Sequence, residues 1–204
     1  MPKPIDWPER LLTCLDSHKA PDKGQEARSD YDLNLDLPRK APLKEAAVLV
    51  PLVPRKAGWQ VLLTRRTQDM PTHAGQIAFP GGQVAKQETL YTTALREFEE
   101  ETGISKTMAR PLGRFERYET ASRFNITPFV ASLDTPFTVR PDPREVEAVF
   151  EVPFDFLMTL KNYQHQSLQW QGRERHFYAV PWKEHFIWGA TAGMLRALAK
   201  RLAN

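Results

Sequence analysis

Cysteine is almost absent from this chain, since Cys14 is the only one among its 204 residues. A single thiol excludes an intrachain disulfide and any zinc site built from several cysteines. Long hydrophobic runs are also lacking: a membrane-spanning helix needs about 20 consecutive apolar residues, and Pro51 already interrupts the apolar run at residues 46–53. The first residues carry no apolar segment typical of a secretory signal. We therefore expect a cytoplasmic protein with no membrane partner.

The chain has little net charge, because 25 aspartates and glutamates nearly balance 28 lysines and arginines, which leaves a formal net charge of +3. No stripe of basic residues alternates with aromatic ones, so we expect no nucleic-acid partner. The charge is nevertheless unevenly distributed. Residues 82–104 hold five acidic and two basic residues and carry −3, which leaves +6 for the rest of the chain. An acidic site within a basic surround suits a metal-bound polyanion.

The pattern of apolar residues predicts short strands interspersed with a few helices. Strands are expected at residues 46–53, 59–67, 76–79, 113–119, 125–133 and 145–152, and a hairpin at 167–180 around Gly172. Helices are expected at residues 5–15, 88–102, 154–160 and 185–202. Residues 1–44 are expected to form an N-terminal extension, and residues 45–204 a single domain. This mixture predicts an α+β fold.

The helix predicted at residues 88–102 carries an unusual group of carboxylates. At about 100° per residue, Glu97, Glu100 and Glu101 share one arc beside the apolar face. Like charges one turn apart repel by about 0.2–0.5 kcal/mol per pair, and the end of a helix, here capped by Gly103, favours cations instead. A solvated acidic surface is one interpretation. The other is a site for a hard cation such as Mg²⁺ or Mn²⁺, which prefers oxygen ligands.

The spacing of residues around this helix matches a family motif over 23 residues. Its nine fixed positions are Gly82, Glu88, Arg96, Glu97, Phe98, Glu100, Glu101, Gly103 and Ile104. The pattern resembles the complete Nudix box, the signature of hydrolases that act on nucleoside diphosphates linked to another moiety. The resemblance implies the Nudix fold, an α/β/α sandwich with a mixed β-sheet, and a requirement for divalent cations.

The segment before the box resembles one subgroup of this family, the coenzyme A pyrophosphatases. Residues 62–82 are similar to that subgroup's pattern, approximately LLTxR(S/A)xxxRxxxGxxxFPGG, except that Thr67 replaces Ser or Ala and Pro71 replaces Arg. Proline cannot offer the bidentate grip on phosphate that arginine provides. The leading hypothesis is a pyrophosphatase that splits coenzyme A or acyl-CoA into 3′,5′-ADP and (acyl-)4′-phosphopantetheine. The alternatives are a Nudix pyrophosphatase for ADP-ribose, NADH or another nucleoside diphosphate derivative, and a non-catalytic nucleotide-binding regulator.

The resemblance also implies roles for individual residues. The implied metal ligands are Glu97, Glu100, Glu101 and the carbonyl group of Gly82. The implied catalytic residues are Glu97, Glu100, Arg96 and Glu145. Arg96 would orient the glutamates, and Glu88 is expected to pair with Arg96 or to hold the loop. The general base stays open between Glu97, Glu145 and Glu147.

Four further residues are candidates for substrate contacts: Arg66, His73, Phe79 and Arg123. His73 could equally be an ordinary turn residue, and Phe79 could equally belong to the core. Arg123 could hold a 3′-phosphate. We expect a small nucleotide substrate similar to coenzyme A, and a protein that is a monomer or a homodimer.

Overall fold

The computed structural model describes residues 7–17, 28–39, 41–70, 72–170 and 172–203. Pro71 and the first part of the helix expected at residues 5–15 lie outside the described residues. The helices are α1 (Trp7–Cys14), α2 (Leu90–Thr102), α3 (Phe154–Leu157) and α4 (Gly189–Ala203). The strands are β1 (Arg28–Ser29), β2 (Lys44–Arg55), β3 (Gly58–Arg66), β4 (Ile77–Ala78), β5 (Gly81–Gln83), β6 (Ala109–Arg114), β7 (Tyr118–Glu119), β8 (Phe124–Leu133), β9 (Val146–Pro153), β10 (Gln164–Trp170), β11 (Arg173–Trp182) and β12 (His185–Trp188).

A mixed sheet of nine strands forms the centre of the molecule. Its main path runs β1-β7-β8-β2-β3-β4, while β5 pairs with β2, β6 with β8, and β9 with β3. Strand β2 lies parallel to β8 and antiparallel to β3, and β1 lies parallel to β7. Strands β10, β11 and β12 form a separate antiparallel sheet. The prediction of an α+β fold with a mixed sheet is confirmed.

Helices cover both faces of the large sheet, because the side chains of its central strands alternate between two cores. On one face, Ala47, Leu49 and Val53 of β2 pack in the core that contains Ala94 and Phe98 of α2. The opposite core contains residues of α1, α3 and α4 together with three alternate residues of β2: Val48, Val50 and Leu52. This layering is the predicted α/β/α sandwich. No helix among the described residues is long and apolar enough to cross a membrane.

The described parts of residues 1–44 pack against the rest of the chain. Trp7 and Leu11 of α1 are buried in the same core as α4. The indole Nε1 of Trp7 donates a hydrogen bond to Asp155 Oδ1 at 2.5 Å, and β1 adds a strand to the large sheet. The boundary between an extension at 1–44 and a domain at 45–204 stays a prediction, but the extension shares the domain's core.

The helix expected at residues 185–202 begins later than predicted. Residues 185–188 form β12, which pairs antiparallel with β11, and α4 begins at Gly189. Gly189 has a φ of +63°, a left-handed conformation that separates strand from helix at little cost for glycine. Phe186 is 43% exposed in the strand. The helix prediction was wrong for these four residues because short apolar runs fit both periodicities.

Candidate active site

The position of the carboxylates is set by the two ends of α2 and by its buried face. Thr89 caps the first turn, since its Oγ1 accepts a hydrogen bond from the backbone N–H of Thr92 at 3.2 Å. Gly103 ends the helix with a φ of +69°. Ala94 and Phe98 are fully buried against the sheet. This anchoring fixes the rotation of the helix and therefore the direction of its acidic residues.

Three carboxylates lie close enough to influence one another's ionisation. The pKa of Glu101 is raised to about 8, chiefly by burial and also by the charges of Glu97 and Glu145, while the charge of Arg66 opposes the shift. The Oγ1 of Thr64 donates a hydrogen bond to Glu101 Oε2 at 3.3 Å. Burial also raises the pKa of Glu97. The site thus gathers negative charge where water is largely excluded, which is unfavourable without a compensating cation.

Gly82 lies directly against the carboxylate of Glu97. A Cβ atom added at Gly82 would stand 2.5 Å from Glu97 Cδ and 2.8 Å from its Oε2, so only glycine leaves room for the carboxylate here. Carboxylate and carbonyl oxygens are the ligands that hard divalent cations prefer. The residues present therefore fit such an ion, although no three acidic, histidine or cysteine side chains among the described residues are already arranged to hold one.

Arg96 connects the acidic residues of the site. Its Nε and Nη2 donate to Glu88 at 2.8 and 3.1 Å, and its Nη1 lies 2.9 Å from Glu97 Oε1 and 2.8 Å from Glu100 Oε2. The guanidinium holds the pKa of Glu88 at about 2, helped by a hydrogen bond from Thr93. The expected pairing of Glu88 with Arg96 is confirmed. Glu100 is directed to Arg96 and is more exposed than Glu97, which separates it from the buried carboxylates.

Arg66 and Glu145 lie beside the buried carboxylates. Arg66 sits at an irregularity in the pairing of β3 with β9, and its Nε is buried with no hydrogen-bond partner among the described residues. Glu145 directly precedes β9, and its carbonyl accepts the N–H of Thr67 at 3.0 Å. Glu147, by contrast, pairs with Arg65 at 3.3 Å. Arg66 and Glu145 both act electrostatically on Glu101, and their catalytic roles stay predictions.

The other three predicted substrate contacts are more scattered. His73 occupies an exposed turn with a φ of +59°, and its Nδ1 lies 2.9 Å from Gln76 Oε1. Arg123 lies in the turn between β7 and β8 and donates to the carbonyl of Pro42 at 3.2 Å. Phe79 is only 3% exposed and belongs to the core. A ring so enclosed offers no face to a substrate, so we correct its assignment to packing.

Thr64 is the site residue that sequence reasoning missed. It lies within the segment that resembles the coenzyme A pyrophosphatases, but a threonine in a strand is ordinarily an unremarkable β-former. Its position on β3 opposite α2 places its hydroxyl on Glu101. The contact depends on how β3 packs against α2, and the local sequence pattern does not determine that packing.

Comparison with known proteins agrees with this geometry. Residues 43–182 match the NUDIX domain family model. The chain is 34% identical over 160 residues to "Uncharacterized Nudix hydrolase NudL" of Photorhabdus laumondii, covering 78% of this chain and 85% of that one. A protein of the same name from Yersinia enterocolitica is 37% identical over 158 residues, covering 77% and 80%. An Ap4A hydrolase of C. elegans, solved as a binary complex, is 22% identical with a TM-score of 0.47, covering 55% of this chain and 82% of that one.

These matches show that the chain belongs to the Nudix family. It is a Nudix hydrolase, an enzyme that hydrolyses pyrophosphate bonds. Enzymes of this family generally need divalent metal ions and act on nucleotide-derived substrates.

Proposed function

We propose that this enzyme hydrolyses the diphosphate bond of coenzyme A or acyl-CoA, releasing 3′,5′-ADP and (acyl-)4′-phosphopantetheine. One observation carries the proposal: the segment that resembles the coenzyme A pyrophosphatases builds the site itself. Thr64 bonds to Glu101, Arg66 faces the same carboxylate, and Gly82 lies against Glu97. In this proposal the subgroup's pattern is part of the catalytic machinery and not a separate surface.

In this proposal Glu97, Glu100, Glu101 and the carbonyl of Gly82 hold Mg²⁺ or Mn²⁺. When bound, the cation supplies positive charge that offsets the charge developing on the diphosphate. Binding at Glu100 requires that carboxylate to turn from Arg96. Arg96 keeps Glu97 in place, and Arg66 offers its unpartnered Nε to a phosphate oxygen.

The attacking water must lose a proton to a nearby carboxylate. Glu97 and Glu145 are the two candidates, because both lie at the buried site, while Glu147 is paired with Arg65. Without a bound cation, burial raises the pKa of Glu97 above its ordinary value, so its carboxylate holds a proton more tightly than an exposed glutamate does.

A substrate panel tests the proposal. The purified chain is incubated with coenzyme A, acetyl-CoA, ADP-ribose or NADH, with Mg²⁺ or Mn²⁺, and the products are separated by chromatography. We expect 3′,5′-ADP from coenzyme A or its acyl form, and a rate lower by at least about 10²-fold for Glu101→Gln. Turnover of ADP-ribose or NADH without turnover of either coenzyme A substrate would contradict the proposal.

The second candidate is a pyrophosphatase for ADP-ribose, NADH or a similar diphosphate. Pro71 favours it, since this position carries a phosphate-gripping arginine in the coenzyme A subgroup's pattern. The variant Pro71→Arg separates the two. If coenzyme A is the substrate, the added arginine raises kcat/KM for coenzyme A more than for ADP-ribose. Equal and null rates for wild type and Glu101→Gln across the whole panel would instead favour a non-catalytic regulator.

A further inference from the structure

A cavity of about 230 Å³ lies away from the catalytic carboxylates. One wall is formed by Tyr31, Leu37 and Pro38, which belong to residues 30–38, here called the arm segment. The others are the turn between β7 and β8, at Ala121, and the end of the β10–β11 hairpin, at Trp170 and Arg173. Cavities that hold whole drug-sized ligands measure about 300–1,000 Å³. This one is smaller, so it suits a single ring or anionic group with the remainder of the ligand outside.

The lining combines an exposed aromatic ring with two guanidinium groups. Trp170 is 57% exposed, an unusual state for a residue of such large apolar area. Arg173 is exposed at the same end of the hairpin. Arg175, two residues further along β11, is partly buried. The Nε of Arg175 is buried and has no hydrogen-bond partner among the described residues. Indole and guanidinium together recognise a flat ring that carries a phosphate.

Hydrogen bonds hold the walls of the cavity in place. The carboxylate of Asp30 accepts the hydroxyl of Tyr118 at 2.9 Å and the N–H of Ala121 at 2.8 Å, which ties the arm segment to the turn. Asn34 ties the same segment to β11, because its amide donates to the carbonyl of His176 at 3.0 Å and accepts that residue's N–H at 2.8 Å. The cavity is therefore formed before any ligand arrives, which lowers the entropy cost of binding.

The charged residues that line the cavity are Arg173 and Arg175, whereas Asp32 of the arm segment accepts hydrogen bonds from the N–H and the Oγ of Ser29 at 3.1 and 2.9 Å. Asp30 lies within electrostatic range of Arg175 but is turned to Tyr118 and Ala121. Glu174, between the two arginines in sequence, accepts a hydrogen bond from Ser167 at 2.6 Å. Arg173 has no acidic partner among the described residues, because each ion pair found there involves other side chains.

We propose that this cavity is a second nucleotide site, which binds a nucleoside monophosphate with its base on Trp170 and its phosphate on Arg173 and Arg175. Three strand steps separate β5, which carries Gly82, from β7, which leads into the turn at Ala121, about 14 Å across the sheet at about 4.8 Å per step. None of the catalytic carboxylates lines the cavity, so the site is distinct from them. It does not depend on which nucleotide the enzyme hydrolyses.

The test is a binding titration of the whole chain with adenosine 5′-monophosphate in EDTA, so that metal-dependent binding at the catalytic carboxylates is suppressed. Calorimetry gives the dissociation constant, and tryptophan fluorescence reports on the exposed indole. We expect saturable binding that weakens about tenfold or more in Arg173→Ser and in Arg175→Ser. Arg173 is exposed, so its variant stays folded even if the partly buried Arg175 proves structural.

Two control variants and a control ligand show whether the nucleotide binds in this cavity. Arg110→Ser removes an equal charge from an exposed arginine that pairs with Asp134 on another part of the sheet, and it should leave binding unchanged. Glu101→Gln alters the catalytic site and should also leave binding unchanged. Inorganic phosphate alone should bind at least about tenfold more weakly than the nucleotide, because it lacks the base that stacks on Trp170. The proposal is overturned by absent binding, by equal affinity in the arginine variants, or by phosphate binding as tightly as the nucleotide.

Discussion

Gly82→Ala should reduce catalysis without unfolding the protein. The new Cβ would stand 2.5 Å from Glu97 Cδ, whereas carbon atoms in contact prefer about 3.5–4.0 Å. The carboxylate must therefore retreat by about 1 Å. A displacement of this size in a catalytic group costs about 10²-fold in rate. This corresponds to about 2.7 kcal/mol of transition-state stabilisation in kcat/KM.

The fold should tolerate this change because the clash is with the end of a flexible side chain. The backbone of Gly82 does not need a left-handed conformation, so alanine adds no backbone strain. We expect the free energy of unfolding to change by less than about 1 kcal/mol. The assay is hydrolysis of the preferred panel substrate at saturating Mg²⁺ or Mn²⁺, alongside urea denaturation of the same preparations.

Gly81→Ala is the matched control, one residue earlier on β5. Its Cβ would stand 2.5 Å from the carbonyl oxygen of Ala47 and 2.7 Å from the Cα of Val48, both backbone atoms of the central strand. Backbone cannot move aside cheaply, so this variant should lose about 1–3 kcal/mol of stability. Wild-type kcat/KM in Gly82→Ala, or the same loss of stability in both variants, would refute the reasoning.

Three further predictions concern stability. Glu88 has a pKa of about 2 beside Arg96, below its ordinary value of 4.5. It therefore contributes stability above pH 4.5 that is lost as the pH falls toward 2. In urea titrations the difference in unfolding free energy between wild type and Glu88→Gln should shrink between pH 6 and pH 3. The pKa of Glu101 is raised to about 8, so in EDTA the stability that this group contributes below pH 4.5 is lost as the pH rises through 8. Between pH 5 and pH 9 the unfolding free energy of Glu101→Gln should therefore rise relative to that of wild type by on the order of 4 kcal/mol. Leu11→Ala should cost about 2–5 kcal/mol in thermal unfolding, while Leu12→Ala, at a position 58% exposed, should cost less than about 0.5 kcal/mol; equal losses would show that α1 does not share the core.

Much of the site could be predicted because its parts are close in sequence. The spacing within α2 places Glu97 and Glu101 one turn apart on one face, and the structure keeps them there because Phe98 and Ala94 anchor the adjoining apolar face. The pairing of Glu88 with Arg96 also follows from a short interval. Local helix geometry determines the first contact, whereas the second joins Arg96 to a residue in the loop before α2.

Other features depend on contacts between distant segments. Phe79 lies in a segment of the motif, yet its burial follows from packing of the sheet against α1 and α4. Residues 185–188 have an apolar pattern compatible with a helix, and only their pairing with β11 selects the strand. The hydroxyl of Thr64 meets Glu101 across 37 positions of sequence. Local periodicity contains no information about which surfaces meet.

The arrangement around Arg96 explains why an acidic helix end can be stable in this protein. Four like charges near a helix C-terminus oppose both the macrodipole and each other. One guanidinium offsets three of the surrounding carboxylates, Glu88, Glu97 and Glu100, and it does so from the exposed side of the helix. Glu101 receives no such partner and is the most buried and the most perturbed. The helix therefore leaves its largest electrostatic cost at Glu101, and we expect part of that cost to return as affinity for the divalent cation that we propose Glu101 binds together with Glu97, Glu100 and Gly82.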